Sequence, residues 1–576
     1  MAPARSLRPR RPPSRAPARE RFAFAVTRIV AALAVAAATA IALGPASTGT
    51  VRAQAARDPA LPSFAQLEAD GAVIGEIRVV TGNVFDVEDP RESAWPYRWA
   101  NAVRIRTRPE VIEHRLLFRS GEPLSARRIE ETERLLRGLR MLYDVRIRPI
   151  AVRDRVVDIE VATRDTWTLY PEFGLSRSGG ENAYSVAITD YNLLGTGVAA
   201  SLSRFSNVDR SGTEFSLADD RAFGGRLSIG ASLSGNDDGE RWTARIARPF
   251  WSLDERWSAS LTASGDDRID SVYRAGEVST RYRRRQDRAE LLYGVSSGVV
   301  DGWVRRWSVG LAAREDAYAI APGFTPPPVL PEDETLVGPF VRWDLIEDRF
   351  RRAQNLDQVG RPEFVALGLS ASVQVGRAMR ALGSTGEAWL YSVSLARGFE
   401  PAPSQMVVAS GTLSGRLVDG RIERQSAGAR LQVYLPQDRR WLLYASLAGD
   451  LLTHPEPLDT LTLGGDTGLR GFPLRWQAGT RRVLFTLEER FYTDAFPLRL
   501  FRVGAAGFID VGRAWGGEQA AGNVDRGWIA DVGFGLRIFS TRTAVPRVAH
   551  VDVAFPIGSV GDIRRAQLIV RSKTSF

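Results

Sequence analysis

The sequence predicts a mainly β protein, a transmembrane antiparallel β-barrel of about 16 strands or more that follows one small α+β domain. Three observations predict this fold. A basic and then apolar leader opens the chain, a short segment with mixed helix and strand patterns follows, and the rest alternates apolar and polar residues. We assign 1–55 to the leader, 56–71 to a linker, 72–165 to the small domain and 166–576 to the barrel.

The leader has the order of a secretory signal. Residues 1–55 hold nine arginines and one glutamate, so +8 of the net charge of +10 belongs to them and +2 remains for the rest. An apolar run follows Arg28, and Ala53-Gln54-Ala55 has the small-x-small pattern of a cleavage site at Ala53 and Ala55. The alternative is a membrane anchor, for which the run is short. Because the basicity lies in the leader, we expect no nucleic-acid partner.

The chain contains no cysteine, which excludes disulfides, thiolate metal sites and a lipidated N-terminal cysteine. We expect no metal site and no cofactor. Beyond the leader no segment has 18 consecutive apolar residues, so the sequence predicts that any membrane crossing is made by strands.

The segment 72–165 reads as a compact unit of strand, helix, helix, strand and strand. The five patterns lie at 72–80, after Thr107, from Ser125, at 143–152 and at 156–163. Ser125 is a candidate N-cap, and four apolar residues are predicted to share the inner face of its helix: Ile129, Leu135, Leu136 and Leu139.

Beyond Asp165 the alternation is that of strands, and the segment after Arg482 shows it clearly. One face carries Val483, Phe485, Leu487 and Phe491, and the other carries Thr486, Glu488, Arg490 and Tyr492. A soluble sandwich or propeller and a membrane barrel share this pattern. No repeat of fixed period occurs, and aromatic residues stand at strand ends, so we favour the barrel.

The final strand supports the same interpretation. Its predicted face comprises Ala566, Leu568, Val570, Ser572, Thr574 and the terminal Phe576. An apolar face that ends on an aromatic residue is typical of outer-membrane barrels, so we take Leu568, Val570 and Phe576 as a terminal strand signal.

A glycine-rich loop at 464–472 carries a single arginine in the run Leu469-Arg470-Gly471-Phe472. Gly468 and Gly471 are expected to give backbone angles that other residues avoid. The planar guanidinium of Arg470 suits a bidentate carboxylate partner. The alternative is an ordinary exposed turn.

These segments resemble the BamA/TamA superfamily of outer-membrane assembly factors, which are barrels that carry periplasmic POTRA domains. The run 469–472 resembles the V/I-R-G-F/Y motif of that family, on a loop that folds back into the barrel. Phe508-Ile-Asp510-Val-Gly512 resembles its F-x-D-x-G strand, and 190–197 with 248–251 resembles a turn and a strand end near the start of the barrel. The resemblance covers 72–576.

The resemblance implies that Arg470 pairs with carboxylates on the inner wall of the barrel. Alternation along the strands selects Glu488 and Asp510 as these carboxylates. Glu488 is on the polar face of its strand while Glu489 is on the lipid-side face, and Asp510 lies opposite Ile509 and Val511. The alternative is that both acids line a hydrated interior. For the turn at 192–197 we expect a tight connection between strands. We also predict a loop at 321–334.

The chain departs from the family in two ways. It has room for one POTRA-like domain, and it offers roughly twenty candidate strands against about sixteen in the family's barrels. Either some strands form hairpins above the membrane, or the barrel is larger.

The implied function is the insertion or transport of polypeptides at the outer membrane, with 72–165 in the periplasm. The alternatives are a dedicated two-partner-type secretion pore and a passive channel. The expected partners are outer-membrane lipid, unfolded or nascent polypeptides and accessory proteins. We expect no enzymatic activity, because the three histidines, His114, His454 and His550, have no recognisable nucleophile arrangement.

Overall fold

A computed structural model describes residues 61–573. The residues left undescribed within this range are 85–87, 89–92, 94, 104, 224, 355, 357–361, 498–500, 518–523, 541–547 and 559–562. The predicted leader, with Ala53 and Ala55, and the terminal Phe576 lie outside the described residues.

The elements of the small domain are α1 Phe64–Ala69, β1 Val73–Gly82, α2 Trp95–Val103, α3 Pro109–Glu113, α4 Ala126–Arg137, β2 Leu142–Arg153 and β3 Val156–Asp165. The helices pack on a three-stranded sheet of order β1-β3-β2, in which β1 is parallel to β3 and β2 is antiparallel to it. The predicted element order is present, with α1 and α2 in addition. No helix in the described part of the chain is long and apolar enough to span a membrane.

The core of the small domain follows the predicted helix face only in part. Ile129 and Leu136 are buried on α4, and Leu139 packs against the same core, whereas Leu135 is exposed. Ser125 stands at the N-cap position without a side-chain capping bond. That this unit is a POTRA domain remains a prediction from the resemblance.

Over the described residues, twenty antiparallel strands close into one barrel. They are β4 Leu169–Ser178, β5 Glu181–Leu193, β6 Val198–Ser206, β7 Ser211–Ala222, β8 Leu227–Asn236, β9 Glu240–Arg248, β10 Trp257–Arg274, β11 Glu277–Val300, β12 Trp303–Ile320, β13 Glu334–Glu347, β16 Ser370–Ala378, β17 Ala388–Phe399, β18 Met406–Val418, β19 Arg421–Pro436, β20 Trp441–Thr453, β23 Arg481–Tyr492, β24 Phe501–Trp515, β25 Ile529–Ser540, β26 Val548–Ile557 and β27 Gln567–Lys573.

The expected count of about 16 strands was therefore wrong, and the larger barrel is correct. Two short pairs lie outside the barrel, β14 Phe350–Gln354 with β15 Pro362–Ala366 and β21 Leu461–Leu463 with β22 Gln477–Gly479. The long alternating segments all pair within the wall. Alternation alone does not distinguish a wall strand from a hairpin, because both have a period of two residues. The predicted loop at 321–334 connects β12 to β13, which begins at Glu334.

The barrel wall has an apolar outer face and a polar inner face. Leu261, Leu291 and Leu311 are aligned on β10, β11 and β12, and all three are exposed. Their neighbours Thr262 and Glu290 point to the lumen side. This is the pattern of a barrel whose outer face contacts lipid.

The strand connections alternate between two ends of the barrel, because every neighbouring pair is antiparallel. We call the end where β4 begins, beside the small domain, the near end. The connection 348–369, which carries β14 and β15, lies at the near end. The connection 454–480, which carries Arg470, lies at the opposite or far end.

The predicted turn at 192–197 also joins the small domain to the barrel. The buried Asn192 side chain donates to Thr107 Oγ1 at 2.7 Å and accepts from the Gly197 N–H at 2.7 Å. The Thr107 N–H donates to Asp165 at 3.0 Å, and the Arg108 N–H donates to the Gly195 carbonyl at 3.2 Å. The turn therefore connects two barrel strands and also attaches the small domain to the barrel by hydrogen bonds.

A seam lies between the first and last barrel strands. Among the described residues, β27 pairs with β4 through one residue pair, Val570 with Arg177, whereas β4 pairs with β5 along ten residue pairs. On β27, Leu568 is exposed and Ile569 is fully buried, so the predicted outward face of this strand is present as far as it is described.

Candidate functional site in the barrel lumen

The far-end connection 454–480 folds back against the inner wall of the barrel. Leu463, Leu469 and Phe472 are fully buried and pack with Ala514 and Ile529 of the wall. In addition, Gln477 on β22 accepts from the Ala514 N–H at 2.8 Å. Apolar contact and hydrogen bonding thus hold the loop on the strands that face it.

Two glycines bring the loop close to the wall for different reasons. Gly468 has a φ of 117°, a conformation that other residues avoid, and a Cβ there would collide with Leu484. Gly471 has no positive φ, so the expectation of unusual backbone angles was wrong for it. A Cβ at Gly471 would lie 2.8 Å from the Cβ of Asp531, so glycine is needed there for space.

Arg470 points into the wall and contacts three carboxylates. Its Nε and Nη2 donate to the two oxygens of Asp510 at 2.7 and 3.1 Å, and its Nη1 donates to Glu488 at 3.1 Å. Asp552 lies 3.6 Å from Nη1. The guanidinium also lies over the ring of Phe508, 3.3 Å from its centroid. This is a bidentate, charge-assisted and stacked arrangement that lysine would not reproduce.

The Arg470 guanidinium is positively charged although it is buried. Burial by itself opposes the charged form, but the attraction of Asp510 and Glu488 outweighs it, so the pKa of Arg470 lies above its ordinary value. The residue stays protonated at any physiological pH.

Arg470 belongs to a larger group that we call the lumen cluster. It contains three guanidinium groups and four carboxylates, all buried: Arg470, Arg490, Arg537, Glu488, Asp510, Asp531 and Asp552. Arg537 is bonded to Asp552, and Arg490 donates to Glu488 at 3.2 Å. Asp531 accepts from the Gly471 N–H at 2.9 Å. Opposite charges in nearly equal number allow burial at a tolerable electrostatic cost.

Glycines in the wall leave room for this cluster. On β25, a Cβ at Gly533 would collide with the Phe508 ring, and one at Gly535 would collide with the Asp552 carboxylate. On β24, a Cβ at Gly512 would lie 3.0 Å from Leu463 of the loop. The same Cβ would lie 2.9 Å from the Val483 carbonyl oxygen of β23. The last position of the Phe508–Gly512 motif is therefore small because both the loop and the neighbouring strand pack on it.

The lumen cluster also contacts the near-end connection. Arg490 Nη1 donates to the carbonyl of the buried Leu356 at 2.8 Å. At the base of the same connection, the Arg134 guanidinium of α4 lies 4.2 Å from the ring centroid of Phe350 and 3.6 Å from Asp348. The near-end connection thus contacts the small domain at its base and the lumen cluster at Leu356.

The structure brings together most of the residues singled out from the sequence. Leu469 to Phe472, Glu488, Phe508, Asp510 and Gly512 meet at one place, and Glu489 points to the other face of β23, where Gln437 contacts it. Leu568 and Val570 lie apart from this group, at the seam. Four members of the lumen cluster were not selected: Arg490, Asp531, Arg537 and Asp552. Of these, Arg490 already falls on the polar face of its strand in the sequence pattern, although that pattern gives it no partner.

No family model matches the chain, and no curated protein matches it. BamA from Haemophilus ducreyi lacking POTRA domains 1–3 is similar at 13% identity with a TM-score of 0.38, over 86% of this chain and 83% of that one. CdiB from Escherichia coli is similar at 12% identity with a TM-score of 0.47, over 87% and 76%. The FrpB iron transporter from Neisseria meningitidis also matches, at 8% identity and a TM-score of 0.35, over 72% and 82%.

The first of these structures belongs to the superfamily that the motifs resemble. At these TM-scores, and with an iron transporter among the matches, the likeness adds nothing about function to the geometry described above.

Arg470→Ala is expected to lower the free energy of unfolding by about 3–5 kcal/mol, because it leaves buried carboxylates without their shared cation. Urea titration followed by heat-modifiable gel mobility measures this change. Arg430→Ala is the matched control, since Arg430 is an exposed arginine on the lumen side of β19. Equal stability of the two variants would contradict the assignment.

Gly471→Ala is expected to cost about 1–3 kcal/mol through overpacking against Asp531. Gly468→Ala should cost more, because backbone strain adds to the collision with Leu484. Gly507→Ala is the control, since open space surrounds that position on β24. The same unfolding assay gives the order, and a Gly471→Ala protein as stable as the control would contradict the packing argument.

Proposed function

We propose that this chain is an outer-membrane β-barrel protein of the assembly or translocation type, which inserts or transports polypeptides at the outer membrane. One observation carries the proposal: a loop arginine is held in a buried carboxylate cluster beside a seam whose two strands, over the described residues, share one residue pair. The apolar outer face of the barrel supports a membrane location.

The far-end loop contacts both sides of the seam. Arg571 on β27 donates to the Ser178 hydroxyl on β4 and to the Gly465 carbonyl of the loop. Gly179, in the turn after β4, lies so close to the loop that a Cβ there would collide with Leu474. The loop and Arg571 therefore hold together two strands that share little backbone pairing.

A weakly paired seam suits strand exchange. The edges of β4 and β27 offer backbone N–H and C=O groups to which an extended polypeptide adds as a new strand. The sheet of the small domain has two edges, β1 and β2, on which such a polypeptide can be carried to the near end of the barrel. In this mechanism the lumen cluster does no chemistry, and it keeps the loop in place while the seam opens.

Two related functions remain as alternatives. A dedicated secretion pore would use the same loop for one partner protein. A passive channel is favoured by one observation, an open recess of 450 Å³ on the lumen side of β9–β12, which includes the exposed Arg245 and Arg288.

Depletion of the protein, followed by measurement of the outer-membrane proteome, separates these functions. The proposal predicts a loss of many barrel proteins, because an insertase serves many clients. Loss of one surface protein would indicate dedicated secretion. An unchanged proteome would contradict the proposal and favour the channel.

A disulfide across the seam tests the mechanism. Arg177→Cys with Val570→Cys places two thiols on directly paired residues of β4 and β27, within disulfide reach, and the native chain adds no other thiol. The oxidised protein should fold but fail to restore the proteome of depleted cells, and reduction should recover activity.

The control for that experiment is Leu175→Cys with Tyr184→Cys, which joins β4 to β5, a pair of strands that is already hydrogen-bonded throughout. Oxidation of this control should leave activity unchanged. Full activity of the oxidised seam variant would exclude strand exchange at the seam.

A further inference from the structure

Five large apolar side chains are exposed where the small domain meets the near end of the barrel. Trp95 and Trp99 on α2 are 71% and 59% exposed, and Phe223 in the turn between β7 and β8 is 92% exposed. Ile105, which follows α2, and Leu194, in the turn between β5 and β6, are exposed as well. Because residues four apart share one side of a helix, the two tryptophans form a single face.

These side chains lie on neighbouring parts of the fold. A Cβ at Gly195 would lie 3.3 Å from the Ile105 side chain, so Ile105, two residues after the end of α2, touches the turn that carries Leu194. The turn with Phe223 is the next one along the near end, because β6 pairs with β7 up to Asp219, opposite Val198. The five residues thus lie on successive elements of the near end: α2 and the segment after it, the turn between β5 and β6, and the turn between β7 and β8.

Two of these exposed residues occupy strained turn positions. Leu194 and Phe223 have φ angles of 54° and 58°, in the left-handed region where glycine or asparagine is usual and bulky residues are rare. Both turns thus place a large apolar side chain outward against the preference of the backbone. Exposure of these side chains to water does not offset the backbone strain. Burial of the same side chains against an apolar surface does, through the hydrophobic effect.

The surroundings of the patch indicate what contacts it. It continues the apolar outer face of the barrel, which on β5–β7 exposes Ile188, Leu193, Leu202, Phe215 and Leu217. Three exposed arginines, Arg98, Arg106 and Arg108, accompany α2 and the segment after it. Tryptophan and arginine beside an apolar face are typical of elements that lie in the headgroup region of a bilayer.

We propose that α2 and the two turns form a membrane-contact surface, whose partner is the phospholipid leaflet at the near end of the barrel. This inference rests on the proposed membrane location of the barrel and goes beyond its proposed activity. The tryptophans and Phe223 lie among the headgroups and upper acyl chains, and the arginines meet lipid phosphates. The surface anchors the small domain beside β5, the neighbour of seam strand β4.

The absence of cysteine makes a direct test possible. Single variants Trp99→Cys and Phe223→Cys of the full chain are labelled with bimane and folded into vesicles of phosphatidylethanolamine and phosphatidylglycerol. Nitroxide-labelled phospholipids then quench any fluorophore that lies in the bilayer, and iodide quenches any that lies in water.

Two control positions give the quenching expected in the bilayer and in water. Leu261→Cys lies on the apolar outer face of β10 and reports membrane insertion, and Arg148→Cys lies on the exposed side of β2 in the small domain. We expect lipid quenching at positions 99 and 223 to be several-fold greater than at 148, with the opposite order for iodide.

The controls separate the two possible failures. Quenching at 261, together with values at 99 and 223 that match 148, would overturn the membrane-contact surface while leaving the barrel in the membrane. That outcome would point instead to a protein partner. Absence of lipid quenching at 261 would overturn the membrane location and the contact surface together.

Discussion

Arg470 makes a bidentate contact with Asp510 and also contacts Glu488 and Asp552. The packing of the far-end loop 454–480 against the inner wall depends on this interaction. Each carboxylate also has a second donor: Thr486 for Asp510, Arg490 for Glu488 and Arg537 for Asp552. Without the loop arginine, several negative charges would face one another where the loop limits access of water, and that arrangement is electrostatically costly. The loop therefore completes the charge balance of the wall as well as resting on it.

The same contact connects distant parts of the fold. Through Glu488 and Arg490 it reaches Leu356 of the near-end connection, whose base touches α4 of the small domain. Through Gly465 the loop reaches Arg571 and the seam. A protein that opens between β4 and β27 needs a rigid element to keep the remainder of the barrel in register, and a buried network with complementary charges suits that role. Lipid contact by α2 would add a second fixed point on the near side.

The fold class and part of the site could be predicted from the sequence, because both follow from local rules. A period of two residues separates inner from outer faces, so it places Glu488 and Asp510 on the lumen side of their strands and Glu489 on the outer side. The number of strands in the wall was not accessible in this way, since alternation does not distinguish a wall strand from a hairpin outside the barrel such as β14–β15. Nor was the reason for Gly471, whose backbone is ordinary and whose small size is required by Asp531, 60 residues away in the chain.

The pairing of Arg470 with inward carboxylates was implied by the resemblance to a known family. The amino-acid pattern alone established that the chain is built mainly of strands with one apolar face, and that Glu488 and Asp510 lie on inward-facing positions. These are properties of side-chain chemistry and periodicity, which neighbouring residues express without the rest of the fold. Contacts between distant segments settled that twenty strands close the barrel over the described residues and that Asp531, Arg537 and Asp552 join the cluster. The same kind of contact attaches the turn at Asn192 to the small domain. The reason is that register, closure and burial depend on contacts between residues far apart in the chain, and their free energy appears only once the strands are assembled.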